Sequence, residues 1–497
     1  MDFLTLPLLF SFFLAFVYVI IISGRRNSRL PPGPFPLPVI GNLLCLGDKP
    51  HHSLATLSKR YGPLMSLKLG SRTTVVISSP DIAKEFFQKH DRFFSSRTIP
   101  DAVRAVDHNK HSIVFLPAED QWRKLRKICK EYIFSAQHLD ASELLRRKKV
   151  EELVNHVSHC CTNQNEVNIG GIAFTTALNV LSNVMFSMDF AQYDSVSSQE
   201  FKDTIWAIME LGGKSNIVDF FPILKPFDPQ GFLRQGNVNG KKIMTIFDKI
   251  INQRLQARSS SHLTERHNDL LDLLLNLNQK NEYEFTQNEM RHLFFALFLA
   301  GIDTTSSTLE WAMAELIRNP EKLETARSEV IQLMKNKKDI VQESDISQLP
   351  YLQAVIKETL RLHPPVTFLV PHQAISDTEI HGYMVPKNAQ IICNLWAMGR
   401  DPKVWSMQET FLPERFLEVK IDYKGQDFQY IPFGTGRRMC PGLNLAHRML
   451  HIILGSLILK FDWKLAGNMK AQDIDMEEKF GLTLQRNVLL KAIPLAM

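Results

Sequence analysis

No Cys-x-x-Cys pair and no other zinc spacing occurs among the six cysteines, Cys45, Cys129, Cys160, Cys161, Cys393 and Cys440. A structural zinc module is therefore not expected. No Gly-, Ser- and Pro-rich linker and no repeat divides the 497 residues. One large domain is expected, although the length prior alone would give about three. No flavin- or nicotinamide-binding domain is visible either, so any redox chemistry must draw electrons from a partner. The net charge is only +6, with 22% charged and 44% hydrophobic residues. That is the balance of an ordinary folded protein, and it gives no argument for nucleic-acid binding.

Charge is missing altogether from Phe3 to Ser23. At helical rise these 21 residues span about the ~30 Å core of a bilayer. Arg25, Arg26 and Arg29 follow, which by the positive-inside rule keep the body in the cytosol. The run is longer than a signal-peptide core and has no basic start or small-x-small exit, so an uncleaved anchor over residues 1–24 is expected. Residues 25–38 combine those arginines with Leu30-Pro31-Pro32-Gly33-Pro34-Phe35-Pro36-Leu37-Pro38, a stiff spacer, because proline fixes φ and restricts the residue before it. The catalytic body is expected over 39–497. In a cytosol-facing body disulfides are disfavoured, and the cysteines other than Cys440 read as small buried hydrophobes.

Along the body, Leu64–Leu69 and Thr73–Ile77 alternate about Gly70-Ser71 and predict a β-hairpin. Arg97 to Pro117 has weak periodicity and reads as a long loop. Helices are predicted to dominate from Ala118 to Pro364, with short strands after them, including Ala389–Ile392. The longest helix is expected from Thr286 to Arg318, opened by the capping box Thr286-Gln287-Asn288-Glu289 and stopped by Asn319-Pro320. Its centre, Ala300-Gly301-Ile302-Asp303-Thr304-Thr305-Ser306-Ser307, puts a carboxylate and hydroxyls into an apolar helix, where glycine costs about 1 kcal/mol. Small residues let a flat macrocycle and dioxygen lie against the helix, and Asp303 with Thr304 form an acid–alcohol pair able to deliver protons.

The most informative stretch is Phe433-Gly434-Thr435-Gly436-Arg437-Arg438-Met439-Cys440-Pro441-Gly442. Its glycines allow close backbone approach to a porphyrin, N–H donors can tune a thiolate at Cys440, and Arg438 can neutralise a propionate. The Phe-x-x-Gly-x-Arg-x-Cys-x-Gly pattern resembles the cysteine-ligand loop of the cytochrome P-450 superfamily of haem-thiolate monooxygenases. The central-helix segment is similar to that superfamily's oxygen-activating motif.

The resemblance implies a mostly α fold with small β-sheets. It implies haem b between the central helix and the cysteine loop, with Cys440 ligating the iron and Phe433 beside it. It assigns Trp122 and Arg126 to one propionate and sets His372 where relatives carry arginine at the other; a histidine is only partly charged near neutral pH. Glu358 and Arg361, at i, i+3, join Arg415 of Pro413-Glu414-Arg415-Phe416 in a buried ion-pair network holding the loop's scaffold. Arg123, Lys124, Lys127 and Lys130 form either a solvated basic face or a docking face for NADPH–cytochrome P-450 reductase. The family's need for an external donor favours docking.

Pro31–Pro34, the Ser306–Leu316 run through Trp311 and the Ile421–Phe428 stretch resemble plant microsomal A-type members, and among them the geraniol 8-hydroxylase-like group. The resemblance implies a single-pass protein of the endoplasmic reticulum membrane acting on a small apolar substrate, above all a terpenoid. Some relatives hydroxylate phenols, tyrosine or flavonoid type. It places Phe298, Ala300, Gly301, Val366, Phe368, Phe480 and Leu482 at the substrate. A haem-thiolate isomerase or dehydratase would not need the Asp303-Thr304 pair, and a haem sensor would need no reductase.

Overall fold

The computed structural model describes residues 5–25, 29–193, 199–259, 269–280, 284–335 and 340–497. Arg26, in the basic run after the apolar N-terminal stretch, lies outside the described residues. The body is mostly helical with small sheets, as expected.

Near the N-terminus, helix Thr5–Arg25 turns Phe10, Phe12, Phe13 and Phe16 outward, Phe12 being 74% exposed. An apolar helix with no covering side chains is compatible with a membrane anchor. Among the described residues, helix Ile169–Phe186 is long and apolar enough to span a bilayer, but it is mostly buried against the central helix and is a core element. The proline segment lies along the first strand. Ser66 N donates to Pro32 O at 2.8 Å, Ser66 Oγ donates to Pro31 O at 2.6 Å, and a Cβ at Gly33 would sit 1.8 Å from Ser66 O. Only glycine permits that approach.

Strands Leu64–Leu69 and Arg72–Ile77 pair antiparallel about Gly70-Ser71, as the alternation predicts. Among the described residues they open a five-stranded sheet that continues through Gln390–Cys393, His372–Gln373 and Ser96–Arg97. Its last register sets Arg97 opposite His372. The stretch after Arg97 is more ordered than its weak periodicity predicts. Asp101–Lys110 forms 3₁₀ turns broken by Val106 (φ 50°) and Asp107 (φ 58°). Three-residue turns with a left-handed break leave no 3.6-residue signal. Asn237 Oδ1, accepting from Val106 N at 2.8 Å, ties the segment to helix Phe232–Ser259.

The central helix runs Gln287–Arg318 with both capping-box bonds formed at Thr286 and Glu289. It packs on Ile169–Phe186 on one side and on Leu443–Lys460, the helix after the cysteine loop, on another. Beneath the loop, Arg361 Nε and Nη2 donate to Glu358 at 2.7 and 2.8 Å, and Arg415 Nε donates to the same carboxylate at 3.1 Å. All three are buried, and Arg361 also donates to Gly399 O, Gln408 O and Thr410 O. A buried cation is tolerable only when every donor finds such a partner.

Candidate active site

In the loop, Gly434 and Gly436 take φ of 72° and 64°, and a Cβ at Gly436 would lie 2.8 Å from Phe87 O. Cys440 N donates to Phe433 O at 2.9 Å, closing the loop. The Cys440 side chain is half-buried in the interior, with the amides of Gly442 and Leu443 directed at its sulfur. Burial pushes the thiol's pKa up, while those amides and the Arg126 charge pull it back. At Cys129 and Cys393, by contrast, burial pushes the thiol up to about 12. Cys45 is exposed and Cys161 half-buried, against the expectation of uniform burial, because each sits at the outer end of a surface turn or helix.

The central helix is buried along most of its length but bared at its middle. Leu299, Gly301 and Thr304 are half-buried and Ala300 is exposed, between buried Phe298 and Thr305. Thr304, half-buried on the bared strip, donates from Oγ1 to Ala300 O at 2.7 Å. Gly301 serves a different neighbour: a Cβ there would lie 2.8 Å from Leu181 Cδ1, so the missing side chain lets the two helices approach. Asp303 is buried and turned from Thr304, accepting from the Thr483 hydroxyl and from Gln485 Nε2 at 3.0 Å. Burial raises its pKa, opposed by those two bonds.

Cations converge on the same interior. Arg438 donates to Ser95 O at 2.8 Å and Leu116 O at 2.5 Å, and its guanidinium lies 4.6 Å over the Trp122 ring. Trp122 Nε1 donates to Ile113 O at 3.1 Å. His372 Nδ1 lies 2.6 Å from Phe94 O, and burial beside Arg97 holds its pKa well below the ordinary value, so it is neutral. Arg97 itself was not legible in the sequence. It is buried, it donates to Val370 O, and its Nε has no partner. Burial and the Arg438 charge lower it to about 9, and burial with Arg126 lowers Arg438 to about 10. Among the described residues, buried Arg97 and half-buried Arg126 and Arg438 have no carboxylate within salt-bridge reach, although the Asp91 charge acts on Arg438. Cations drawn out of water without a close anion are costly, so this interior fits a group that carries carboxylates of its own, as haem does.

The expected substrate positions divide. Phe368 and Phe480 have ring centroids 5.5 Å apart, Val366 is half-buried, and Leu482 is 44% exposed at a turn tip. Phe298 instead is 0% exposed within a cluster of Phe186, Phe190, Phe201 and Phe247. On the basic face, Arg123 pairs with Asp120 and Lys124 with Glu289, while Lys130 is exposed.

A glycine-turned cysteine, a bared hydroxyl-bearing helix strip and arginines without a close carboxylate match what a haem-thiolate enzyme needs. Comparison with known proteins identifies it further. The chain belongs to the family described as Cytochrome P450, whose profile matches residues 31–491. It is 56% identical over 476 residues to cytochrome P450 76T24 of Catharanthus roseus, covering 96% of this chain and 95% of that one. Geraniol 8-hydroxylase of Catharanthus roseus is 48% identical over 494 residues, 99% of each chain. Ferruginol synthase of Salvia miltiorrhiza is 45% identical over 489 residues, 98% of this chain and 99% of that one. The chain is thus a cytochrome P450 monooxygenase, a haem enzyme of thiolate type that needs a redox partner and an apolar substrate.

Proposed function

We propose that this protein hydroxylates a plant terpenoid, with NADPH–cytochrome P-450 reductase as electron donor, from an N-terminal anchor (1–24) in the endoplasmic reticulum membrane. Residues 25–38 form the hinge and 39–497 the catalytic domain facing the cytosol. Cys440 would hold haem b through its thiolate against the strip at Ala300. Arg97, Arg126, Arg438 and Trp122 would meet the propionates, and neutral His372 would contribute a hydrogen bond rather than charge. When bound, haem supplies activation of dioxygen and the insertion of one oxygen atom, the other leaving as water.

The protein's own residues then orient, exclude water and move protons. Buried lengths of the central helix lie on either side of the bared strip at Ala300, where the reaction chamber would form. Thr304, half-buried on that strip, can pass a proton by rotating its Oγ1 off the Ala300 carbonyl. What supports the substrate class is the apolar character of Val366, Phe368, Phe480 and Leu482, taken with the full-length likeness to geraniol 8-hydroxylase. An ionic group buried there unpaired would be costly.

Two outcomes are expected. Enzyme reconstituted with reductase and NADPH should shift its haem spectrum with terpenoids and oxidise at least one of a panel read by mass spectrometry. Turnover of tyrosine or a flavonoid, with terpenoids inert, would replace this reading by the phenolic one. Second, Thr304→Ala should still bind haem and substrate but divert NADPH electrons to hydrogen peroxide, cutting coupling roughly tenfold or more, within the range a positioned proton donor contributes. Unchanged coupling would remove Thr304 from the relay.

A further inference from the structure

The turn that carries Phe480 and Leu482 joins two short strands, Glu478–Lys479 and Gln485–Arg486, and each leg is held by buried groups. On the first leg, Glu478 accepts from Trp396 Nε1 at 3.0 Å and lies 2.8 and 2.7 Å from Nε2 of His51 and His52. On the second, Leu484 O accepts from Ser307 Oγ at 2.7 Å and Trp311 Nε1 at 3.0 Å, both on the central helix. Leu484 N donates to Pro365 O at 2.8 Å. Between these contacts the Thr483 hydroxyl and Gln485 Nε2 both converge on Asp303.

Resting on the monooxygenase reading above, we propose that Asp303 is a positioning residue for the 480–485 turn. Its carboxylate sets the height of Phe480 and Leu482 over the helix, and so decides which carbon of an apolar substrate comes to Thr304. Successive helical residues point about 100° apart, so Asp303 and Thr304 serve different faces of one turn. One faces the substrate turn and the other the bared strip. A buried carboxylate is stable only when hydrogen-bonded, and both its side-chain donors come from this turn. The link also joins residues 180 apart in sequence, so it fixes tertiary geometry and not local helix.

Asp303→Asn separates positioning from proton donation. An amide keeps an oxygen for Gln485 and can donate to the Thr483 hydroxyl, but it is no acid. In holoenzyme supplied with reductase, NADPH and monoterpene alcohols, Asp303→Ala and Thr483→Val should each weaken spectral substrate binding about fivefold to tenfold, the size of one ordinary hydrogen bond's net contribution. Both should shift the product ratio in the same direction and speed amide hydrogen exchange of residues 480–485. Asp303→Asn should stay within about twofold of the parent in binding and exchange, as a conservative rescue of the same bonds does. The proposal is overturned if Thr483→Val matches the parent in binding and exchange. It is equally overturned if Asn and Ala both make peroxide as Thr304→Ala does while binding is unaltered. Should the parent oxidise no monoterpene, the exchange comparison still decides this point, and the terpenoid reading fails separately.

Discussion

Cys440→Ser is expected to abolish the red-shifted Soret band of the ferrous–CO complex and to lower turnover by more than about a thousandfold, some 4 kcal/mol of lost barrier reduction. A hydroxyl cannot supply the electron donation of a thiolate. The loop itself should survive, because its turns are set by Gly434 and Gly436 and its closure by the Cys440 amide rather than the sulfur. The substitution therefore tests chemistry and not folding. Absorbance of the dithionite-reduced, CO-saturated protein reads the result directly. A variant that retained both the band and product formation would show that another side chain holds the iron.

The second large effect is expected at Glu358. This carboxylate is the shared acceptor of Arg361 and Arg415, and it also accepts from Leu412 N at 2.8 Å. Glu358→Ala strands two buried guanidiniums, a loss of about 3–5 kcal/mol where one partner of a buried pair is removed. Against a total stability of about 5–15 kcal/mol that is a large fraction. Haem incorporation, read as the ratio of Soret to protein absorbance, should collapse, and the thermal midpoint should fall by several degrees or more. Glu358→Gln keeps the shape and one acceptor, so it should lie between the two. If Glu358→Ala took up haem like the parent, the network would not hold the loop's scaffold.

Legibility in the sequence followed the range of the interaction concerned. The cysteine loop, the hairpin about Gly70-Ser71 and the capping box at Thr286 are local patterns, and each forms where its residues predict. Glu358 and Arg361 stand at i, i+3 on one helical face, a spacing too common to carry weight alone, so with Arg415 they were legible as a network through the family resemblance. Arg97 was missed because its importance comes from a two-residue strand paired with His372, far along the chain. No local spacing announces that register. Asp303 was recognised but its neighbours were not, since Thr483 and Gln485 approach from the far end of the chain. Phe298 was assigned to the substrate, yet on a helix buried on most sides an apolar residue can as easily face a core cluster.

Gly301 carries a consequence for how such a chamber can change. Ala300 fronts the open strip, while the neighbouring glycine lies behind it, where the absence of one methyl group allows Leu181 to close in. That contact gauges the separation of two core helices, and through it the depth available above Ala300. Bulk added on this hidden side would act like a shim under a wall, moving the front surface without altering any atom that a substrate meets. Ligand preference could then drift through residues such as Leu181 that never touch the ligand.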